Sequence, residues 1–99
     1  MPHAGIYNDG GRGYDSVTLR TSTVSGNKAG TNGGGLYNLG QVTATGTDIE
    51  DNTGTSGGGG IYDGPWKGGT DSVSLTTSPV QHNTPDNCEP TGTVTDCTR

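Results

Sequence analysis

The sequence predicts an all-β fold, a parallel β-solenoid of about three coils, on the strength of three observations. Only 13 of the 99 residues are Leu, Ile or Val and none is Phe, too few for an ordinary globular core. Twenty Gly and five Pro residues disfavour helices. The third observation is a repeat, in which one short pattern of residues occurs three times. Stacked repeats would bury these few apolar residues in one continuous core.

The repeat pairs a G-[IL]-Y-[ND] motif with a later V-[TS]-x-x-x-x-x-[VI]-x-x-N motif. The first motif lies at residues 5–8, 35–38 and 60–63, and the second at 17–27, 42–52 and 73–83. The second motif begins 25 residues later in the second repeat and a further 31 residues later in the third, with constant internal spacing. All variation in length therefore lies between the Tyr and the Val, which is typical of a solenoid with variable loops at one position.

The segments between these loops have the character of short strands. They are rich in Val, Ile, Thr and Tyr, which suit a pleated surface. Alternation places Val17 and Leu19 on one face of a strand and Thr18 and Arg20 on the other. The glycine runs at 33–35 and 57–60 supply backbone freedom for corners.

Stacking in register would place equivalent residues of successive coils in columns. Two such columns are structural candidates, Asn27, Asn52 and Asn83 in one and Tyr7, Tyr37 and Tyr62 in the other. The asparagines either bond across coils as an internal ladder or simply serve turns, where Asn tolerates left-handed backbone. The tyrosines are expected to form a structural ladder.

The pattern resembles the right-handed parallel β-helix proteins. The GGG[IL]Y and [VI]xxN pair is similar to the GGAI and FxxN repeats of polymorphic outer-membrane proteins. It is closer still to the secreted β-helix repeat proteins of actinobacteria, which often end in a motif like residues 83–88 followed by a second cysteine, here Cys97. The resemblance covers residues 4–97 and implies right-handed coils and secretion. It implies no single activity, because the fold carries lyases, adhesins, autotransporter passengers and phage tailspikes alike.

The two cysteines, Cys88 and Cys97, lie in a tail rich in Pro, Gly and Thr. They could close a small loop as a disulfide, with free thiols as the alternative. A disulfide would indicate an oxidising compartment, so we expect an extracellular, secreted protein. Residues 1–84 are expected to form the three coils, and residues 85–99 an irregular C-terminal cap held by the Cys88–Cys97 bridge.

The charge balance bears on possible partners and sites. Ten acidic against five scattered basic residues argue against nucleic acid, whose phosphates need clustered Lys and Arg. No apolar run approaches the ~20 residues of a membrane span. Neither a catalytic triad nor a cofactor motif is visible, so an enzyme is the less favoured expectation. A weak calcium candidate consists of Asp48, Glu50 and Asp51, with a solvated acidic corner as the alternative.

Two long loops, at residues 8–16 and 63–72, flank a short one at 38–41, which leaves a notch. Each long loop offers an aromatic, a cation and a carboxylate. The candidate ligand-binding residues are Arg12, Tyr14, Asp15, Trp66, Lys67 and Asp71. They could stack on a sugar ring, cover the edge of the core, or contact a second subunit.

The first coil has strand character from Gly5 onwards, so it would present unpaired backbone groups at its open edge. We expect this edge to be covered by the rest of a longer parent chain or by a second copy, giving an oligomer or a fibre. The expected function is therefore an extracellular structural or adhesive module. The alternative is a glycan-binding or polysaccharide-degrading fragment that uses the two long loops. An ice-binding face of outward Thr residues is a third reading, which Arg20 interrupts.

Overall fold

A computed structural model of the chain describes residues 5–8, 16–30, 32–55, 57–64, 72–89, 94 and 97. These residues form twelve short strands and no helix. The first repeat contributes β1 (Ile6–Asn8), β2 (Ser16–Arg20), β3 (Thr23–Ser25) and β4 (Lys28–Ala29). The second contributes β5 (Leu36–Asn38), β6 (Gln41–Thr45), β7 (Asp48–Glu50) and β8 (Thr53–Gly54). The third contributes β9 (Ile61–Asp63), β10 (Ser72–Thr76) and β11 (Val80–Gln81), and β12 (Cys88–Glu89) follows it.

Every sheet is built from equivalent strands of successive repeats, paired in parallel. The strand orders are β1-β5-β9-β12, β2-β6-β10, β3-β7-β11 and β4-β8. The register follows the motif without a slip, because Ile6 lies opposite Leu36 and Leu36 lies opposite Ile61. The predicted all-β class and parallel pairing are confirmed. Pairing of like with like follows from the constant spacing inside each motif, since one residue of slip would turn every apolar side chain outward.

Alternation along the strands places the core on one face of each sheet. In β6, Val42 and Ala44 are buried, while Gln41, Thr43 and Thr45 are exposed. Leu36, Ile49 and Ile61 join them as fully buried side chains. Full burial of an aliphatic side chain contributes about 1.5–3 kcal/mol. The core is less complete in the first repeat, where Ile6, Val17 and Leu19 are only partly buried.

Residues 85–99, which we expect to form an irregular cap, include one short strand. Cys88 and Glu89 form β12, which pairs with β9 and places Cys88 opposite Ile61. Cys88 is a small apolar residue and takes the next place in the column of Ile6, Leu36 and Ile61. The predicted disulfide is present, with 6.3 Å between the Cα atoms of Cys88 and Cys97. Val94, between the two cysteines in sequence, is buried in the core.

Candidate functional site

A row of hydrogen-bonded asparagines runs through the stack. The Nδ2 of Asn27 donates to Oδ1 of Asn52, and the Nδ2 of Asn52 donates to Oδ1 of Asn83, both at 3.0 Å. The backbone N–H groups of Asn27 and Asn52 donate to the same two oxygens, at 3.0 and 2.9 Å. Of the two readings of these residues, the structure therefore contains the ladder. Asn87, which the repeat pattern does not include, is a fourth member and accepts from Asn83.

Each inner asparagine also bonds backwards to the preceding repeat. The Nδ2 of Asn52 donates to the carbonyl of Val24 at 2.9 Å, and that of Asn83 donates to the carbonyl of Ile49 at 3.0 Å. The Asn52 carboxamide thereby connects all three repeats. Asn52 is 1% exposed, so water cannot replace these bonds.

The glycine that opens each G-[IL]-Y motif makes room for this ladder. A Cβ atom at Gly35 would lie 2.9 Å from Nδ2 of Asn52, and one at Gly60 would lie 2.7 Å from Nδ2 of Asn83. Both distances are shorter than a real Cβ can tolerate. These glycines are therefore required by close packing, whereas Gly33 and Gly58 have positive φ angles of 69° and 56° and fit the predicted role in corners.

A second buried polar row joins the last residues of β1, β5 and β9. The Nδ2 of Asn8 donates to Oδ1 of Asn38 at 2.9 Å, and the Nδ2 of Asn38 donates to Oδ1 of Asp63 at 3.0 Å. Asn38 also bonds both the N–H and the carbonyl of Gly40, and so fixes the turn that follows β5. The sequence signal for this row is the [ND] position of the first motif.

The three tyrosines stack on the outer face of the same sheet. Ring centroids of Tyr7 and Tyr37 lie 5.0 Å apart with nearly parallel planes, and those of Tyr37 and Tyr62 are also 5.0 Å apart. Desolvation raises the pKa of Tyr37 above its usual 10.0, and the charges of ionised Tyr62 and Tyr7 raise it further. Tyr7, at the end of the stack, is 61% exposed.

An open recess of about 310 Å³ lies at the exposed side of the first repeat, between β1 and β3. Its lining residues are Gly5, Ile6, Thr23, Val24, Ser25 and Asn27. We call it the first-repeat recess. It exposes the end of the asparagine ladder, the partly buried Ile6 and the edge of β3 together. Edge strands with apolar neighbours are surfaces on which further strands can pair.

None of the six candidate ligand-binding residues in the two long loops is among the described residues. Arg12, Tyr14, Asp15, Trp66, Lys67 and Asp71 all lie outside the described residues, so the glycan-binding notch stays a prediction.

The acidic residues proposed for calcium are described. Asp48 and Glu50 flank the buried Ile49 in β7, and Asp51 follows at a turn with a φ of 58°. Glu50 has a long contact of 3.5 Å with Gln81 of the next repeat. Within the described ranges, no three Asp, Glu, His or Cys side chains are grouped closely enough to hold a metal ion. The strand and turn geometry therefore does not gather Asp48, Glu50 and Asp51 into a calcium site.

The part of the chain that the structure describes contains no helix that is long and apolar enough to cross a membrane. Comparisons with protein families, with curated proteins and with solved structures found no match to this chain.

Proposed function

We propose that the chain is a structural module of the right-handed parallel β-solenoid type, which associates through the exposed side of its first repeat. The chain visits the sheets in the same order in each repeat, and each strand pairs with its equivalent in the next. This order supports a solenoid path. The partner in association is a second copy of the chain or an adjoining segment of a longer parent chain. The Cys88–Cys97 disulfide fits the extracellular location that the proposal includes.

The observation that carries the proposal is unequal burial at equivalent positions. Leu36 and Ile61 are fully buried, whereas Ile6, which precedes them in the same column, is only partly buried. Leu19 is likewise partly exposed, while its neighbour Ala44 in β6 is fully buried. Covering the first repeat would remove this apolar surface from water, at about 25 cal/mol per Å².

On the opposite side of the stack, the described apolar residues are covered. Val80 of the third repeat is buried, and so are Cys88 and Val94 beyond it. The disulfide holds Cys97 against this layer, where it packs on the core. The difference between the two sides supports association through the first repeat rather than the last.

The proposal is tested by the mass of the protein in solution, measured by light scattering behind size exclusion over a range of concentrations. We expect the mass to rise above the 10.0 kDa of one chain as the concentration increases. The variant Leu19→Lys places an inward-pointing charge on the edge strand β2 and should return the mass to one chain. Leu19→Met, which keeps the apolar side chain, is the matched control and should associate like the parent. Circular dichroism checks that both variants fold. A mass of 10.0 kDa at every concentration would contradict self-association.

A further inference from the structure

We propose that the first-repeat recess is a docking site for an extended segment that carries the chain's own [VI]-x-x-N pattern and adds to β3 as a parallel strand. The proposal deepens the function above and rests on it in one respect, that the first repeat is an association surface. The partner segment supplies a backbone carbonyl, two amide donors and an aliphatic side chain at fixed spacing.

Among the described residues, Asn27 makes fewer side-chain hydrogen bonds than Asn52 and Asn83. In the inner repeats, Asn52 and Asn83 each donate backwards to a carbonyl and accept on Oδ1 from the preceding asparagine. Asn27 makes only the forward bonds, through its N–H and Nδ2 to Asn52. Its second Nδ2 hydrogen and its Oδ1 meet no partner among the residues that the structure describes. One donor and one acceptor therefore stand at the recess.

The backbone around Asn27 presents two more donors to the same side. Asp48 N–H donates to the carbonyl of Ser22 in the first repeat, and Thr53 N–H donates to the carbonyl of Asn27. Their counterparts by register are Thr23 and Lys28. Since equivalent residues of parallel strands point their N–H groups the same way, these two donors face the layer before β3 and β4.

An incoming [VI]-x-x-N segment would match all of these groups. Its aliphatic residue would pack on Val24, as Ile49 does from the other side, and the carbonyl of that residue would accept from Asn27 Nδ2. Its asparagine would donate through N–H and Nδ2 to Asn27 Oδ1. The carbonyl of that asparagine would then lie at Lys28 N–H, as the carbonyl of Asn27 lies at Thr53 N–H.

Within the recess itself, polarity favours such a segment over the folded repeats of a second copy. The apolar surface at Leu19 in β2 needs no hydrogen-bond donor, so association of two copies through it is not restricted in this way. The ladder donates in one direction only, so the recess needs donors from its partner. At the other end of the stack, the donors of Asn83 are already bonded to Asn87, and β12 and Val94 cover that layer. Two first-repeat recesses brought face to face would oppose one Asn27 Oδ1 to another. An unpaired strand segment avoids both conflicts.

The test is a titration of the full chain with a synthetic peptide of residues 46–55, which contains Ile49 and Asn52, followed by ¹H–¹⁵N NMR. We expect saturable shifts of the Thr23 and Lys28 amides and of the Asn27 side-chain amide. A short flexible peptide pays for its ordering, so millimolar peptide concentrations are appropriate. The matched peptide Asn52→Asp loses the Nδ2 donor and opposes a carboxylate to Asn27 Oδ1, and should bind at least tenfold more weakly. Because only the peptide changes, folding of the protein is not affected.

Two results would overturn the docking site: no shifts at Thr23, Asn27 and Lys28, or equal shifts with both peptides. The outcome is separate from that of the mass measurement. If the chain associates but the peptide does not bind, the structural proposal stands and the docking site is wrong. If the peptide binds and the chain stays at 10.0 kDa, the docking site stands and self-association is wrong.

Discussion

Replacement of Asn52 by Ala should be among the most destabilising single changes in this chain, because the Asn52 side chain serves neighbours on both sides. Its Oδ1 accepts from the backbone N–H of Asn27, and its Nδ2 donates to the carbonyl of Val24 and to Asn83. Asn52→Ala leaves the Asn27 N–H without its side-chain partner. It also removes the bond to the Val24 carbonyl, which keeps its strand-pairing bond, and the bond to Asn83. Each of these two lost bonds costs about 0.5–1.5 kcal/mol. A buried group left unsatisfied costs about 1–3 kcal/mol. The expected loss is therefore about 2–6 kcal/mol of the free energy of unfolding.

The matched control is Asn27→Ala, at the exposed end of the same ladder. Among the described residues, its side chain makes one hydrogen bond, the donation from Nδ2 to Oδ1 of Asn52, and that oxygen keeps the bond from the Asn27 backbone N–H. No backbone group loses a side-chain partner, so the expected loss is about 1 kcal/mol.

Urea unfolding followed by circular dichroism, with the disulfide intact, measures both variants. The midpoint shift multiplied by the slope gives each loss, and the slope itself reports whether the unfolding still exposes the same surface. Equal losses for Asn52→Ala and Asn27→Ala would refute the reasoning, since they would mean that a carboxamide bridging three repeats stabilises no more than one at the end.

Two further predictions concern other columns of the stack. Gly35→Ala should lower the free energy of unfolding by about 1–3 kcal/mol, because the new Cβ would lie 2.7 Å from the carbonyl oxygen of Gly60 and close to Asn52. The exposed change Ser74→Ala serves as the control in the same urea experiment and should alter stability by less than about 0.5 kcal/mol; similar values for the two would contradict the packing role. Because its pKa is raised, Tyr37 keeps its phenol proton to a higher pH in the folded state than in the unfolded state. Its contribution is therefore fully present below pH 10.0 and is lost as the pH rises above that value towards the folded pKa, so the urea midpoint should fall less steeply in Tyr37→Phe than in the parent. Identical pH dependence in both proteins would contradict this assignment.

The repeat predicted most of the framework, because the register of parallel strands from successive repeats depends only on spacing along the chain. Val24, Ile49 and Val80 each stand three positions before an asparagine, and they lie opposite one another in β3, β7 and β11. Such one-dimensional regularity can be read from the residues without knowing any three-dimensional contact.

The structural features that the repeat pattern does not predict depend on contacts between layers. Asn87 joins the ladder from a position only four residues after Asn83, outside the period of the repeat. The close fit of Gly35 to Asn52 and the capping of Gly40 by Asn38 depend on how near one layer lies to the next. None of these distances is encoded in the spacing of a motif. The candidate loop residues lie outside the described part of the chain, so their grouping rests on the sequence pattern alone.

The sharing of the Asn52 carboxamide between three repeats also determines how the molecule comes apart. A repeat that makes most of its hydrogen bonds to neighbouring repeats has little stability by itself. The interaction free energy between adjacent repeats therefore outweighs the intrinsic folding free energy of each repeat. Opening should then proceed inward from the first repeat, where Asn27 makes only the forward bonds within the described part of the chain. Amide hydrogens of β1 to β4 should consequently exchange with solvent before those of β5 to β8. The second repeat, coupled on both sides, would be the last to lose its structure.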